Sequence, residues 1–404
     1  MSDSITVKSK IASLPHDKQL VLKRIWAHLY NLWNIPITES IQYLYDEPTN
    51  NETKDQMGEK LINGTNHSQF NSLNIDSNDL YMEFWDMLRV ESPDCHILRF
   101  TKARTFHVDK TIHMLSKDFK FRHTHQLNQL LNEGEYNLVS QQDETSQNKD
   151  NVGISVCLKK QKAVIMGHDK HNRPIILVRP KFHYSSDQTE SALEKYALLI
   201  IETSRLFMKE GEITILFDLT DFSLSNMDYA PVKFIITCFE AHFPESLGSL
   251  LIHKAPWLFT PIWAIVKKWL DPVVASKIVF TNKTSDLNKY IDSTQLPTYL
   301  KGANDSINLD QYSPPDGSHD TLLHLKEDDV EFKKKQSILD KREQLIKKFQ
   351  DINLQWIQTK DELKSQNLWK IKCEIGEELC QNYVELDPYI RSRSSYDINR
   401  TLKL

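Results

Sequence analysis

An α/β fold with a helical unit ahead of it and further helices behind it is what this 404-residue sequence predicts. Three observations carry that expectation. From Val152 onward, short β-branched runs alternate with helical patterns, the grammar of a sheet with parallel neighbours. Before Val152, apolar residues recur at helical spacing between polar stretches. After Asp329, a long charged segment carries a single apolar stripe, which again reads as helix.

Taken in order, residues 16–34 place Leu20, Leu22, Ile25, Trp26, Leu29 and Trp33 on one broad apolar face, giving an N-terminal helix within 1–45. Residues 46–79, rich in Asn, Asp, Ser, Thr and Lys, have little to bury and read as a polar linker. A helical unit spans 80–150. It contains YMEFWDMLRV, then Ser92-Pro93-Asp94 as turn and cap, then CHILRFTKAR and VDKTIHMLSKDFKFRHTHQLNQLL, with a polar break over 134–151. The α/β region follows over 151–303. VGISVCLKK, KAVIMG, PIILVRP, EITILFDL, SLLIHK and KIVFT are its strands, and His168–Pro174 is a hairpin between two of them. Residues 187–210, 228–243 and 258–270 are its helices. A connector over 304–328, with Pro314-Pro315 and Asp316-Gly317 turns, leads to a helical extension over 329–404. There, Ile338, Leu345, Phe349, Ile352 and Trp356 form the stripe of one helix, and a second surrounds Trp369 to Tyr383. Both stripes are expected to pack on the body and on each other.

Bulk composition excludes more than it assigns. A net charge of −5 supplies no global positive field, so nucleic acid is not an expected partner. Five cysteines without a Cys-x-x-Cys pair suggest free thiols in a reducing compartment. The first twenty residues show no secretory h-region, and no run approaches 18 apolar residues. The expectation is a cytoplasmic protein that visits intracellular membranes transiently. No glycine spacing matches a dinucleotide or phosphate loop. The pairs His168/His171 and His123/His125 lack further ligands at metal spacing, and Asp218 at a strand end lacks a nucleophile beside it. No catalytic residue and no metal site is expected, and the chain does not read as an enzyme.

What stands out is LFTPIWAIVKKWLDPVVASK, residues 258–277. Phe259, Ile262, Trp263, Val266, Trp269 and Leu270 recur at helical spacing, Ile265 widens the face, and Lys267 and Lys268 lie toward its end. Periodicity alone fits two arrangements: a core helix, or a helix at a lipid interface with its ammonium groups near headgroups.

Two further segments bear on that choice. Ile97-Leu98-Arg99-Phe100-Thr101-Lys102-Ala103-Arg104-Thr105-Phe106-His107-Val108 resembles the "LLRFLRARKFDV" signature that opens CRAL-TRIO lipid-binding proteins. Phe243-Pro244-Glu245-Ser246-Leu247-Gly248, continuing through Pro256 to Leu270-Asp271-Pro272 and Ser276-Lys277, resembles that family's "YPERLG…NAP…F…KPFLDP…SKI" block. The His168–Pro174 hairpin falls at the "TDKDGRP" position. The resemblance covers about residues 80–303 and is strongest to the yeast phosphatidylinositol transfer branch. It implies a small helical unit before an α/β domain whose sheet floors an apolar pocket. It also implies a gate helix over the pocket mouth, matched by residues 258–270, that moves at the membrane.

The resemblance further implies a ligand and its contacts. A two-chain lipid exposing about 30 methylenes would cost on the order of 20 kcal/mol in water, at about 0.8 kcal/mol per CH₂, so a greasy cavity favours carriage by protein. Selectivity then falls to the polar end, which needs donors for a phosphodiester and acceptors for inositol hydroxyls. The family's positions map onto Arg104 near the headgroup, Asp169 and Lys170 in the hairpin, Glu245 as hydroxyl acceptor and Lys277 as phosphate donor. Val274 stands where a threonine often lies, which removes a hydroxyl. Ser223 and Ser225 fall where choline-lipid contacts occur, but the neighbouring tyrosines do not map. The implied activity is phosphatidylinositol binding and transfer, presenting the lipid to a lipid kinase or trafficking protein, with bound phospholipid in place of a cofactor. The alternatives are a carrier of an apolar isoprenoid or sterol-type lipid, and an adaptor whose helical extensions recruit a protein.

Overall fold

The computed structural model describes residues 14–46, 75–140, 146–208, 211–305, 309 and 312–404. Most of the expected 46–79 linker lies outside the described residues. Along the chain come α1 (His16–Leu32), α2 (Tyr43–Asp46), α3 (Ser77–Leu88), α4 (Pro93–Ala103), α5 (Val108–His125), α6 (Leu127–Ser140) and α7 (Ser146–Lys159). Then follow β1 (Ala163–His168), β2 (Pro174–Val178), α8 (Glu190–Arg205), β3 (Ile213–Asp218), α9 (Tyr229–Thr237) and β4 (Leu247–His253). The rest are α10 (Phe259–Val266), α11 (Pro272–Ser276), β5 (Ile278–Thr281), α12 (Thr284–Leu287), α13 (Val330–Gln358), α14 (Glu362–Leu386) and α15 (Ser395–Ile398).

The chain divides into two compact units that do not follow its order. One combines residues 1–128 with 325–389, and the other combines 129–324 with 390–404. The terminal helices α13 and α14 therefore belong with α1 to α5. They pack on each other, and Leu345, Phe349, Trp356, Trp369 and Leu379 share a core with Ile25, Trp26, Phe84 and Ile97. Their apolar stripes are buried within this helical unit.

The sheet unit is built on five strands in the order β1-β2-β3-β4-β5. β1 and β2 form the expected antiparallel hairpin, and β2 to β5 run parallel. Both faces of the sheet are apolar. Ile175, Leu177, Leu216 and Leu251 point to one face, closed by Leu287, Ile291, Leu296 and Leu300. Ile176, Ile215, Leu250 and Ile278 are in register across the other face, which meets α8, α9 and α10.

Four local expectations need correction. VGISVCLKK is not a strand but the second half of α7. Its buried Ile154, Cys157 and Leu158 recur at helical spacing. Gly153 lets α7 approach α8 closely, since a Cβ there would lie 2.7 Å from that of Ala192. Tertiary packing thus overrides β-branched propensity. The polar break over 134–151 is largely helical, in α6 and α7, with Gly134 kinking α6 at a φ of +63°. The helix expected to run from Val108 through Leu131 is two, separated by Gln126 in the left-handed region. The 258–270 helix is shorter than expected and ends at Val266.

Candidate lipid cavity and sheet edge

Between the open face of the sheet and its helices lies a cavity of about 240 Å³. Its floor is the in-register row Ile176, Ile215, Leu250 and Ile278 together with Val178, Phe217 and Ile252. Its walls are Ile200 of α8, Val232 and Ile236 of α9, and Phe239 in the π-turn that follows. The roof is α10, which contributes Phe259, Ile262, Trp263 and Val266, with Leu270 just beyond. Pro261 lies in the first turn of α10, where a missing N–H leaves no helical bond unmade. Of the gate residues read from sequence, Trp269 alone does not line the cavity. It packs edge-on against Tyr229, with ring centroids 5.7 Å apart.

The outer side of this roof is also apolar. Trp257, just before α10, is 87 % exposed, and Ile265, Val273 and Phe280 are exposed too. Trp263 stands edge-on to Phe280 at 5.2 Å. Lys267 and Lys268 are exposed beside them. Among the described residues, no helix is long and apolar enough to cross a membrane.

Polar side chains reach the cavity at the carboxyl edge of the parallel strands, and several are engaged by protein partners. Lys162 binds Asp187 at 3.2 Å and Gln188 at 2.5 Å. Asn226 donates to the carbonyls of Lys181 and His183. His183 lies 3.4 Å from Asp228. Burial, followed by the nearby Lys162 charge, holds its imidazole below the usual range. Arg179 stacks over Phe182 at 4.1 Å. Asp218, also at this edge, accepts from Thr220 and from the Tyr299 hydroxyl at 2.9 Å.

The positions matched to headgroup contacts lie elsewhere. Within the sheet unit, Asp169, Glu245 and Lys277 all fall at the amino edge of the parallel strands, just before β2, β4 and β5. Asp169 is saturated: its carboxylate accepts from the backbone N–H groups of His171 and Arg173, the Thr214 hydroxyl and Arg173 Nε. It staples the hairpin. Lys170 turns to the segment that closes the opposite face, donating to the Asn288 carbonyl. Glu245 is half-buried with a φ of +54°, and Lys277 Nζ donates to the Leu247 carbonyl at 2.6 Å. Arg104 belongs to the helical unit, where it ends α4 and donates to the Ala103 carbonyl. Ser223 and Ser225 are exposed and bonded to each other at 2.7 Å, outside the cavity lining.

Sequence reasoning missed Arg173. Its guanidinium bridges Asp169 at 2.7 Å and Glu212 at 3.4 Å, and it lies across Gly248, where a side chain would collide with it. The signal was an Asp and an Arg four residues apart on one tight hairpin. Among the described residues, no cluster of three or more His, Cys, Asp or Glu side chains is arranged to hold a metal ion.

Comparison with known proteins places these features in context. The CRAL/TRIO domain profile matches residues 158–302, and the CRAL/TRIO N-terminal domain profile matches residues 51–117. The chain is 39 % identical to phosphatidylinositol transfer protein CSR1 of Eremothecium gossypii, over 98 % of both chains. It is 32 % identical to CRAL-TRIO domain-containing protein C3H8.02 of Schizosaccharomyces pombe, over 93 % of this chain and 88 % of that one. Among solved structures, the crystal structure of Sfh5 aligns with a TM-score of 0.45 at 15 % identity, over 73 % of this chain and 90 % of the other.

Proposed function

Because this chain belongs to the CRAL/TRIO family, we propose that it binds phosphatidylinositol, shelters the acyl chains beneath α10, and exchanges the lipid at a membrane surface. The observation that carries this reading is the cavity itself: hydrocarbon on its floor, walls and roof, under an eight-residue helix whose outer side is also apolar. A cavity of about 240 Å³ falls below the roughly 300–1,000 Å³ typical of drug-sized ligands, and a two-chain lipid is larger than those. Loading therefore requires α10 to move outward. Trp257, Ile265 and Phe280 would then meet the bilayer, with Lys267 and Lys268 at the level of its phosphates.

The headgroup is assigned to the amino edge of the sheet, with Glu245 accepting inositol hydroxyls and Lys277 turning from the Leu247 carbonyl to the phosphate. Asp169 and Lys170 support the hairpin at this edge. Presentation to a lipid kinase or a trafficking protein at intracellular membranes belongs to the same proposal.

A second reading, carriage of an uncharged isoprenoid or sterol-type lipid, is favoured by one observation. Lys277 and Lys162 already have protein partners, and Val274 offers no hydroxyl. Mass spectrometry of lipid extracted from the purified protein separates the two. Stoichiometric phosphatidylinositol that is lost in Lys277→Ala and Glu245→Ala supports the first reading. An apolar lipid dominating in wild type and both variants supports the second. A folded protein without lipid would contradict both and return attention to an adaptor role.

A further inference from the structure

Beyond the lipid cavity, the sheet unit carries a second feature, built from the end of the chain. Residues 391–402 fold back as a strap in which serine hydroxyls bond carboxylates, beside backbone bonds from Ser392 to the Asn132 carbonyl and from Arg393 to Asp320. Ser392 donates to Asp320 at 2.5 Å, Ser394 to Asp397 at 2.6 Å, and Ser395 to Glu135 at 3.2 Å. The Ser395 backbone N–H also donates to Glu135 at 3.2 Å, and the Tyr312 hydroxyl completes that carboxylate at 2.8 Å. Anchored this way, Tyr396 extends its hydroxyl to accept the Ile165 N–H at 3.0 Å, on the free edge of β1. Strap and edge together enclose a cavity of about 670 Å³, lined by Gly167, Tyr312 and Asn399 among others.

Each of the three hydroxyl contacts depends on the serine being a donor. A phosphoserine oxygen is not one. It brings about −1.5 to −2 charges and strong acceptors against a buried acceptor, which disrupts rather than orders. Arg391 and Arg393 are held by Asp397, at 2.8 and 3.6 Å. Ser392 and Ser394 are buried, whereas Ser395, at the start of α15, is half-exposed.

We propose that Ser395 is a phosphorylation site and that its phosphate releases the strap from the edge of β1. The donor is ATP on a serine protein kinase. The Ser395 oxygen attacks the γ-phosphorus, the bond from that phosphorus to the ADP oxygen breaks, ADP leaves, and the hydroxyl proton passes to the kinase base. The released edge presents the Ile165 N–H and an opened cavity. None of this depends on which lipid the protein carries.

Hydrogen exchange on the full-length protein at pH 8 tests the release. Ser395→Asp should raise exchange of the Ile165 amide and of residues 391–402 at least tenfold. Ser395→Asn, similar in size but uncharged and still a donor, should stay within twofold of wild type. Adding Glu135→Gln to Ser395→Asp should recover most of the protection. Aspartate and asparagine variants that exchange alike, or a double variant that recovers nothing, would overturn the charge argument. The modification itself is read by treating the full chain with ATP and an arginine-directed serine kinase, then mapping phosphopeptides. Phosphate on Ser395 supports the assignment; phosphate elsewhere only, or nowhere, overturns it.

Discussion

The two units bury apolar surface in opposite ways. The helical unit encloses a fully buried ammonium group, Lys372, in a closely packed aromatic core; the sheet unit leaves space and lines it with hydrocarbon. Lys372 bonds Asp94 at 3.0 Å and Asn353 at 2.9 Å, and lies 3.7 Å from the centre of the Trp356 ring. Trp26 donates to the same Asp94 oxygen at 2.8 Å. The Lys372 ammonium is thus held by protein groups on every bond the structure gives it. The sheet unit's open face has the reverse character: few polar partners to recruit, and room. Residues that look equally greasy in sequence serve closure in one case and carriage in the other.

The sharpest way to break the closed interior is Lys372→Ala. It strands Asp94 without its counter-ion and opens a hole beneath Trp356, and removing one partner of a buried pair costs about 3–5 kcal/mol. Thermal melting should show a large drop, while lipid bound per folded molecule stays near wild type. A combined Lys372→Met and Asp94→Asn change should recover much of the loss, because it removes both charges and keeps the volume. If the single variant melts like wild type, the ion pair is not what holds this core.

How much of this was legible in the sequence depends on the level of the question. The strands from KAVIMG to KIVFT were readable because β-branched runs bounded by turns have few other uses, and the hairpin followed from its turn residues. VGISVCLKK was misread because Val, Ile and Cys also pack between helices, and only the contact of Gly153 with α8 reveals the helix. α10 was recognisable as greasy from periodicity, but its position over a cavity was read only through resemblance: Ile262 in a filled core and Ile262 over a cavity have the same periodicity. At the amino edge, Glu245 and Lys277 were found through resemblance. That Asp169 is consumed by Arg173 and Thr214 is a fact of three-dimensional neighbours that spacing does not encode.

Within the sheet unit, the two faces allow a finer contrast. Leu216→Ala on the closed face removes a fully buried side chain packed from both sides, and should cost about 2–5 kcal/mol. Its neighbour Ile215 faces the cavity. Ile215→Ala should fall near the low end, about 2 kcal/mol, because space already adjoins it. Equal losses, measured by urea unfolding, would mean that the cavity is filled when the protein is isolated. The converse variant, Ile215→Phe, adds volume to the cavity floor. It should reduce co-purified lipid severalfold while shifting stability by about 1–3 kcal/mol at most. Unchanged lipid content would place the ligand somewhere other than this cavity.

The smallest expected effect returns to the helical unit. Lys23 donates to the Tyr43 hydroxyl and the Thr359 carbonyl, both at 3.1 Å, and among the described residues no carboxylate pairs with it as Asp94 does with Lys372. Burial, reinforced by the charge of Lys372, lowers its pKa to about 7. The sign of the consequence follows from proton counts. Between about pH 7 and the ordinary lysine value of about 10.4, the unfolded chain holds a proton on this residue that the folded chain has released. Unfolding therefore takes up a proton, and stability rises with pH through that window. Below pH 7 both states are protonated and the full penalty of burying the ammonium applies. Lys23→Met removes the titrating group and keeps most of the volume. It should flatten the rise in melting temperature between pH 7 and 9 and raise the value at pH 7. A variant with the same slope as wild type would assign the pH dependence to other groups and leave Lys23 as packing.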